Sequence, residues 1–359
     1  MLHAPRTSIA RGRGWAAALF ALSLSACCLY SAPGYEGPPR PNLRDGEFYN
    51  TYPLLPEKRS ATRVLRWLVN RNRGYWAGFT PSPEGAPPPA EVLGSKLRVT
   101  FVNHSTLLVQ TQGMNVLTDP VWSDVVGPES WLGVSRRRPP GIAFEALPPI
   151  DALIISHNHY DHLDLPTLER LERAHRPRFI VASGNAALLR DAGFSRVTEL
   201  YWWEQHPLSA CVRVHAVPAQ HFSGRGLCDS NETLWAGYVL DTCGGPVYFA
   251  GDTGLGTHFA EIRRRFGKLR ASLLPIAAYR PEWFMSPVHI DPEGAVLAHL
   301  TLESQVSIAM HFGTFAQADD GQYEPFDALE RALRTHGVGF SDFWVLGFGE
   351  GRQVPALAP

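Results

Sequence analysis

Between Leu97 and Asp119 apolar and polar positions alternate in short runs. Leu97-Arg-Val-Thr-Phe-Val-Asn-His-Ser-Thr-Leu-Leu-Val-Gln-Thr111 and Met114-Asn-Val-Leu-Thr-Asp119 are separated by turn residues, a pattern that predicts a β-meander. Asp151-Ala-Leu-Ile-Ile155 is a continuous apolar run and reads as a buried strand, while Leu165-Pro-Thr-Leu-Glu-Arg-Leu171 has helical spacing with Asp164 placed as N-cap. Helices near 165–174 and 185–192 then alternate with strands at Phe179–Ala182 and Val197–Tyr201, as where helices cover a sheet. Three later apolar strands each end in a metal-ligand type: Val217 toward His221, Pro246 toward Asp252, and Ser307 toward His311. Upstream, residues 62–73 form a short amphipathic helix with Val64, Leu65, Trp67 and Leu68 among basic residues, and residues 80–89 hold five prolines and read as a loop.

The turn between the buried strand and its helix carries the densest chemistry. His157, His159, Asp161 and His162 place three imidazoles and a carboxylate within six residues. Neutral imidazole and carboxylate both suit a borderline ion such as zinc, so this turn can aim His157 and His159 at one ion and Asp161 with His162 at a second. Asp119, at a strand end before Pro120, reads either as a carboxylate receiving the free ring N–H of a metal-bound histidine or as a turn-forming Asp-Pro. His104 stands alone in a strand and reads as a structural histidine. Trp131, Trp202, Trp203, Trp283, Phe284 and Met285 are candidate linings of an apolar groove, or core.

Composition narrows the class. With 359 residues, 45% of them apolar, the chain can bury a large core. Its 33 Lys and Arg nearly balance 34 Asp and Glu, so the basic field that nucleic-acid binding requires is missing.

The first 27 residues carry Arg6, Arg11 and Arg13, the apolar run Trp15–Leu24, and Ser25-Ala26-Cys27. This is the pattern of an export signal, too short for a good transmembrane helix. Leu24-Ser-Ala-Cys27 resembles a bacterial lipobox, which implies lipidation of Cys27 and a membrane-anchored lipoprotein of the bacterial cell envelope facing the periplasm; the alternative is a cleaved signal and a soluble periplasmic or secreted protein. Residues 28–61, rich in Pro and Gly, would be a tether, leaving 62–359 as the folded domain. No cysteine has C-x-x-C spacing, so none is expected to bind metal. If the segments around Cys211–Val217 and Leu234–Leu240 pair antiparallel with 219 opposite 235, then Cys211 faces Cys243; a bridge there and two reduced buried cysteines are both open.

These motifs resemble the metallo-β-lactamase fold superfamily, marked by His-x-His-x-Asp-His followed by His, Asp and His at later strand ends. Within it the chain is similar to the N-acylphosphatidylethanolamine-hydrolysing phospholipase D family, through Val64-Leu-Arg-Trp-Leu, Leu117-Thr-Asp-Pro, Leu147-Pro-Pro-Ile-Asp-Ala, the His157 turn, Trp202-Trp-Glu, Ala219-Gln-His, Phe249-Ala-Gly-Asp-Thr-Gly, Arg265-Phe-Gly, Trp283-Phe-Met and His311-Phe-Gly-Thr-Phe-Ala. The resemblance runs from about residue 60 to 352. It implies an α/β fold, an αββα sandwich of two mixed sheets flanked by helices. It also implies two Zn2+, with iron or manganese as the lesser alternatives: His157, His159 and His221 on one ion, Asp161, His162 and His311 on the other, and Asp252 bridging. Asp161 and Asp252 would then be catalytic as well as ligating, and His289, in Met285-Ser-Pro-Val-His289, a candidate general acid. Where the family has Gln-His this chain has Val288-His289, which bears on substrate preference. Tyr160, Trp283 and Met285 are candidate substrate contacts. The implied reaction is phospholipase D-type hydrolysis to N-acylethanolamine and phosphatidate, at a membrane met through the lipid anchor and the 62–73 helix. A homodimer is open. The alternatives are another hydrolase of this fold, such as a lactonase or a different phosphodiesterase, an iron oxidoreductase in the same ligand frame, or a non-catalytic lipoprotein.

Overall fold

The computed structural model describes residues 28, 30–51, 61–82 and 84–358. The export signal and Cys27 therefore lie outside the described residues, as does part of the expected tether. Two seven-stranded mixed sheets face each other. The first runs in the order Val197–Leu200, Arg178–Ala182, Ala152–Ile155, Met114–Thr118, Thr106–Thr111, Leu97–Asn103, Gly351–Val354. The second runs Gln205–Pro207, Val212–Val217, Gly237–Thr242, Val247–Phe249, Ala271–Pro275, Val306–Met310, Phe343–Trp344. In each sheet one half is parallel and the other antiparallel.

The apolar run at 152–155 is continuous because both of its faces are covered. Ala152 and Ile154 enter the core between the sheets, whereas Leu153 and Ile155 point outward onto Leu168, Leu171 and Leu189 of the helices Leu165–His175 and Asn185–Asp191. On the second sheet the helices His258–Phe266, Pro292–Leu302 and Glu324–His336 contribute Phe259, Ile262, Ala295, Leu302, Leu329 and Leu333 to the same large core. The result is helix, sheet, sheet, helix. Asp164 does precede its helix, but its carboxylate does not cap it; it accepts from the backbone N–H groups of Trp122 and Ser123 and from the hydroxyls of Ser123 and Thr167.

Among the described residues two disulfides cross-link the chain. Val212 pairs with Thr242, so Cys211 meets Cys243, and of the two outcomes left open by the sequence the bridge is the one formed. Cys28 pairs with Cys228, a partner no sequence pattern indicated. The described part of the expected tether is not a tether: Ala32 N–H donates to Asp229 at 2.8 Å, Phe48 is buried against the core, and Asn50 bonds the backbone of His221 in both directions. A backbone N–H, one buried aromatic ring and one amide side chain scattered through a Pro-rich stretch supply that docking, which composition alone does not reveal. Among the described residues no helix is long and apolar enough to cross a membrane.

Candidate metal centre

Every candidate ligand lies just beyond the C-terminal end of a strand, and those ends converge along one edge of the sandwich. His157, His159, Asp161 and His162 follow Ala152–Ile155, His221 follows Val212–Val217, Asp252 follows Val247–Phe249 and His311 follows Val306–Met310. The loop to Asp252 must pass close beneath the ligand turn. Gly251 makes this passage, with φ +58° and a position where a Cβ would stand 2.6 Å from the Cβ of Ser156.

The ring nitrogens gather in two neighbouring groups. His157 Nε2 lies 2.7 Å from His159 Nδ1, and His221 Nε2 lies 3.3 Å from the same atom. In the second group His162 Nε2 is 3.1 Å and His311 Nε2 3.8 Å from Asp161 Oδ2. Asp252 Oδ2 sits between the groups, 3.2 Å from His162 Nε2 and from His311 Nε2 and 3.8 Å from His221 Nε2. His289 is buried beside them, its Nδ1 3.9 Å from that oxygen. All seven predicted ligands are thus brought together, and His289 joins them.

Their outer atoms are fixed. Asp119 Oδ2 receives the Nδ1–H of His162 at 2.6 Å and the hydroxyl of Ser156 at 2.6 Å, while Oδ1 receives Ser156 N–H at 2.7 Å. This turns His162 Nε2 inward, the arrangement expected of a carboxylate behind a metal-bound imidazole. His221 Nδ1 is held by the carbonyl of Val288 at 2.9 Å, a backbone contact that the change from Gln to Val leaves available.

His104 is not the isolated strand histidine expected. It occupies the two-residue turn between Leu97–Asn103 and Thr106–Thr111 with φ +46°; its Nε2 meets Asp161 Oδ2 at 2.8 Å, and its carbonyl accepts His311 N–H at 2.7 Å. Asp119 and His311 also have positive φ, 32° and 60°, so three residues around one centre are held in a backbone region unfavourable to side chains with a Cβ. Asn50, which props His221, was likewise missed. Neither carries a local motif; a lone histidine next to serine in a tight hairpin was the only available hint.

Electrostatics suit cations. Burial, reinforced by neighbouring imidazoles, pushes His157 well below the ordinary imidazole range, and burial does the same to His221. Both therefore offer lone pairs. Burial opposes charge on His162 and His311 too, but the carboxylates led by Asp252 outweigh it, lifting His162 well above the usual range and His311 to about 9. Asp161 and Asp252 stay ionised despite burial because imidazoles surround them. The Nε2 atoms of His162 and His311 and Oδ1 of Asp252 are buried without a hydrogen bond. Inward-facing nitrogens, two buried carboxylates and buried atoms that make no hydrogen bond among the described residues fit bound metal, and none of the gathered residues is a cysteine.

The centre opens into a pocket of about 280 Å³. His159, Asp161, Asp252, His289 and His311 form its polar side, and Trp67, Val126, Val134, Phe222 and Met285 its apolar side. Tyr160 also lines it, beneath the Arg225 guanidinium at 3.9 Å. Trp283 is partly exposed near this mouth and Phe284 stacks on Trp67. Trp202 and Trp203 do not belong to a groove: Trp202 is buried in the core with its indole N–H on the carbonyl of Trp235, and Trp203 packs under Arg265. Strand-edge tryptophans had satisfied both readings in the sequence, and packing chose the core.

Residues 114–312 match the model of the β-lactamase superfamily domain. The chain belongs to the metallo-β-lactamase superfamily. An uncharacterized protein of Mycobacterium tuberculosis is 38% identical over 305 residues, spanning 83% of this chain and 81% of that one. The N-acyl-phosphatidylethanolamine-hydrolyzing phospholipase D 1 of Caenorhabditis elegans is 35% identical over 250 residues, 67% of this chain and 70% of that protein. Among solved structures, an isothiocyanate hydrolase from gut bacteria of Delia radicum superposes with a TM-score of 0.56 at 20% identity, over 71% of this chain and 98% of that one, a likeness of fold. This superfamily member is a metal-dependent hydrolase, with a His/Asp cluster able to bind the metal.

Proposed function

We propose that the chain is a dinuclear zinc phosphodiesterase that cleaves N-acylphosphatidylethanolamine in the manner of phospholipase D, releasing N-acylethanolamine and phosphatidate at the bacterial cell envelope. The observation that carries this reading is the 35% identity, over two thirds of the chain, to a relative named for that activity, combined with an apolar wall of Trp67, Val126, Val134, Phe222 and Met285 on the metal pocket. A greasy wall beside a cluster of cation ligands suits a substrate with a charged phosphodiester and long acyl chains.

His157, His159 and His221 would hold one ion, Asp161, His162 and His311 the other, with Asp252 between. Bound zinc supplies Lewis acidity toward a phosphoryl oxygen and brings the pKa of coordinated water toward about 7. The chain's own contribution is orientation. Asp119 keeps the proton of His162 on Nδ1, Val288 keeps that of His221 on Nδ1, and both leave Nε2 free to bind an ion. His289 lies in the pocket wall and would give a proton to the departing alkoxide of the N-acylethanolamine, which needs one as the P–O bond breaks. Trp67 and Phe222 exclude water from the acyl side.

The test is metal analysis together with turnover of N-acylphosphatidylethanolamine by the purified full chain. Two zinc ions per chain and release of N-acylethanolamine are expected. Two zinc ions with no release would overturn the substrate and direct the search to other hydrolases of this fold; stoichiometric iron would overturn the metal.

A further inference from the structure

We propose that the mouth of the metal pocket faces the lipid bilayer, and that the Cys28–Cys228 bridge sets this orientation by locking the N-terminal end of the folded chain onto one wall of that mouth. The inference rests on the export and lipid anchoring put forward above, but not on which phosphodiester is cleaved.

The wall in question is the loop 222–229, which begins directly after His221. Phe222 lines the pocket. Gly224 N–H donates to Asn158 Oδ1 at 2.7 Å and Arg225 donates to the carbonyls of Asn158 and Leu163, so the loop is fixed to the ligand turn. Its other side is fixed to the N-terminal segment. Asp229 accepts from the backbone N–H groups of Ala32, Arg225 and Gly226, Cys228 N–H reaches the hydroxyl of Ser31 at 3.3 Å, and the disulfide joins Cys228 to Cys28 across 200 residues of sequence. From there Tyr30 donates to Glu129 at 3.1 Å, on the hairpin whose Val126 and Val134 form the opposite apolar wall.

The elements around this mouth expose large apolar side chains. Leu68 and Val69 project from the helix that places Trp67 in the pocket, Trp131 and Leu132 stand at the tip of the hairpin, Leu227 lies on the loop, and Trp283 joins them. Trp131 and Leu227 are 78% and 80% exposed, values at which neither residue contributes to the core. Arg66 lies over the Trp283 ring at 4.9 Å, adding a cation to an aromatic rim. Apolar and aromatic tips with interleaved arginine suit the interface of a phospholipid bilayer, where indoles sit at the headgroups and arginine meets phosphate.

The length of chain preceding this point selects the bilayer over other occupants. Trp15–Leu24 and the lipobox-like Cys27 precede Cys28 directly. A lipidated Cys27 is one residue, about 3.8 Å between Cα atoms, from a cysteine held at the mouth. Were residues 28–61 a free tether, the anchor would wander about 30 Å from the domain and impose no orientation. The bridge replaces that freedom with a fixed exit point beside the pocket.

Hydrogen exchange of the full chain, in phosphatidylethanolamine–phosphatidylglycerol vesicles free of N-acylated lipid, tests this. Exchange at residues 65–69, 130–132 and 226–228 should slow at least tenfold relative to the same protein without vesicles. The slowing should be lost in Trp131→Glu/Leu227→Glu, and should be lost or spread over other surfaces in Cys28→Ser/Cys228→Ser, while Phe340→Glu, an exposed aromatic away from the pocket lining, leaves it intact. Metal content and melting temperature of each variant establish that it is folded, and the two surface substitutions suffice if the cysteine variant is not. No slowing at the mouth, slowing at residues around Phe340 instead, or slowing that appears without vesicles and grows with protein concentration, as a second copy would give, overturns the proposal. Because the vesicles contain no substrate, a protein protected at the mouth yet inactive on N-acylphosphatidylethanolamine would sink the proposed substrate alone.

Discussion

His104 shows what one side chain decides here. It holds Asp161 through Nε2 and the backbone of His311 through its carbonyl, so it touches two of the three ligands assigned to one ion. Removing a hydrogen-bond partner of a ligating carboxylate typically costs about 10- to 100-fold in metal affinity. If two ions are held as proposed, His104→Ala should therefore lose the one at the Asp161 group at a chelator concentration the wild type withstands, with the His157 group still occupied; metal analysis after graded dialysis reads this directly. His104→Gln, which can still donate to Asp161, should recover part of the difference. The motif around Asp161 was legible because its four ligand types are adjacent in sequence. His104 reaches the same carboxylate from 57 residues away, and only the hairpin turn delivers it.

At the level of elements, the centre depends on loops that leave strand ends at fixed angles. The turn from Val247–Phe249 to Asp252 works because Gly251 takes φ +58° against Ser156. Gly251→Ala meets both a left-handed backbone and a Cβ contact of 2.6 Å, so it should destabilise by about 2 kcal/mol or more and lower metal occupancy. Gly193→Ala, at φ +92° with nothing within 4 Å of the added carbon, carries the backbone penalty alone and should leave the metal untouched. Urea unfolding of both variants with metal analysis separates the two contributions. The strands themselves were readable from period-two and continuous apolar runs, and the helices 165–175 and 185–191 from their spacing. The N-terminal segment was not, because Ala32, Phe48 and Asn50 are scattered through a Pro- and Gly-rich stretch whose composition matches a linker.

Across the whole molecule the centre joins the two sheets. His157, Asp161 and His162 come from the first sheet, His221, Asp252 and His311 from the second, so any ion held between them ties the halves together. Chelation should lower the melting temperature, with a loss of about 4 kcal/mol for each ion present at a thousand times its dissociation constant. Scanning calorimetry with and without chelator, followed by zinc readdition, checks this; an unchanged melting temperature would show that the sheets hold together without the ions.

The sequence by itself marked the strands and helices through local periodicity, the His157–His162 turn through adjacent metal-ligand types, and His221, Asp252 and His311 as strand-end candidates, while its resemblance to a known family implied the αββα class. It left Asp119 between two readings and placed Cys211 opposite Cys243 only through the arithmetic of an assumed antiparallel pair. Tertiary structure alone decided that His104 and Asn50 serve the centre, that Trp202 and Trp203 belong to the core, and that Cys28 finds Cys228. Those outcomes depend on which surfaces meet when two sheets and an N-terminal segment pack. Contacts between residues tens to hundreds of positions apart leave no periodic trace in the chain.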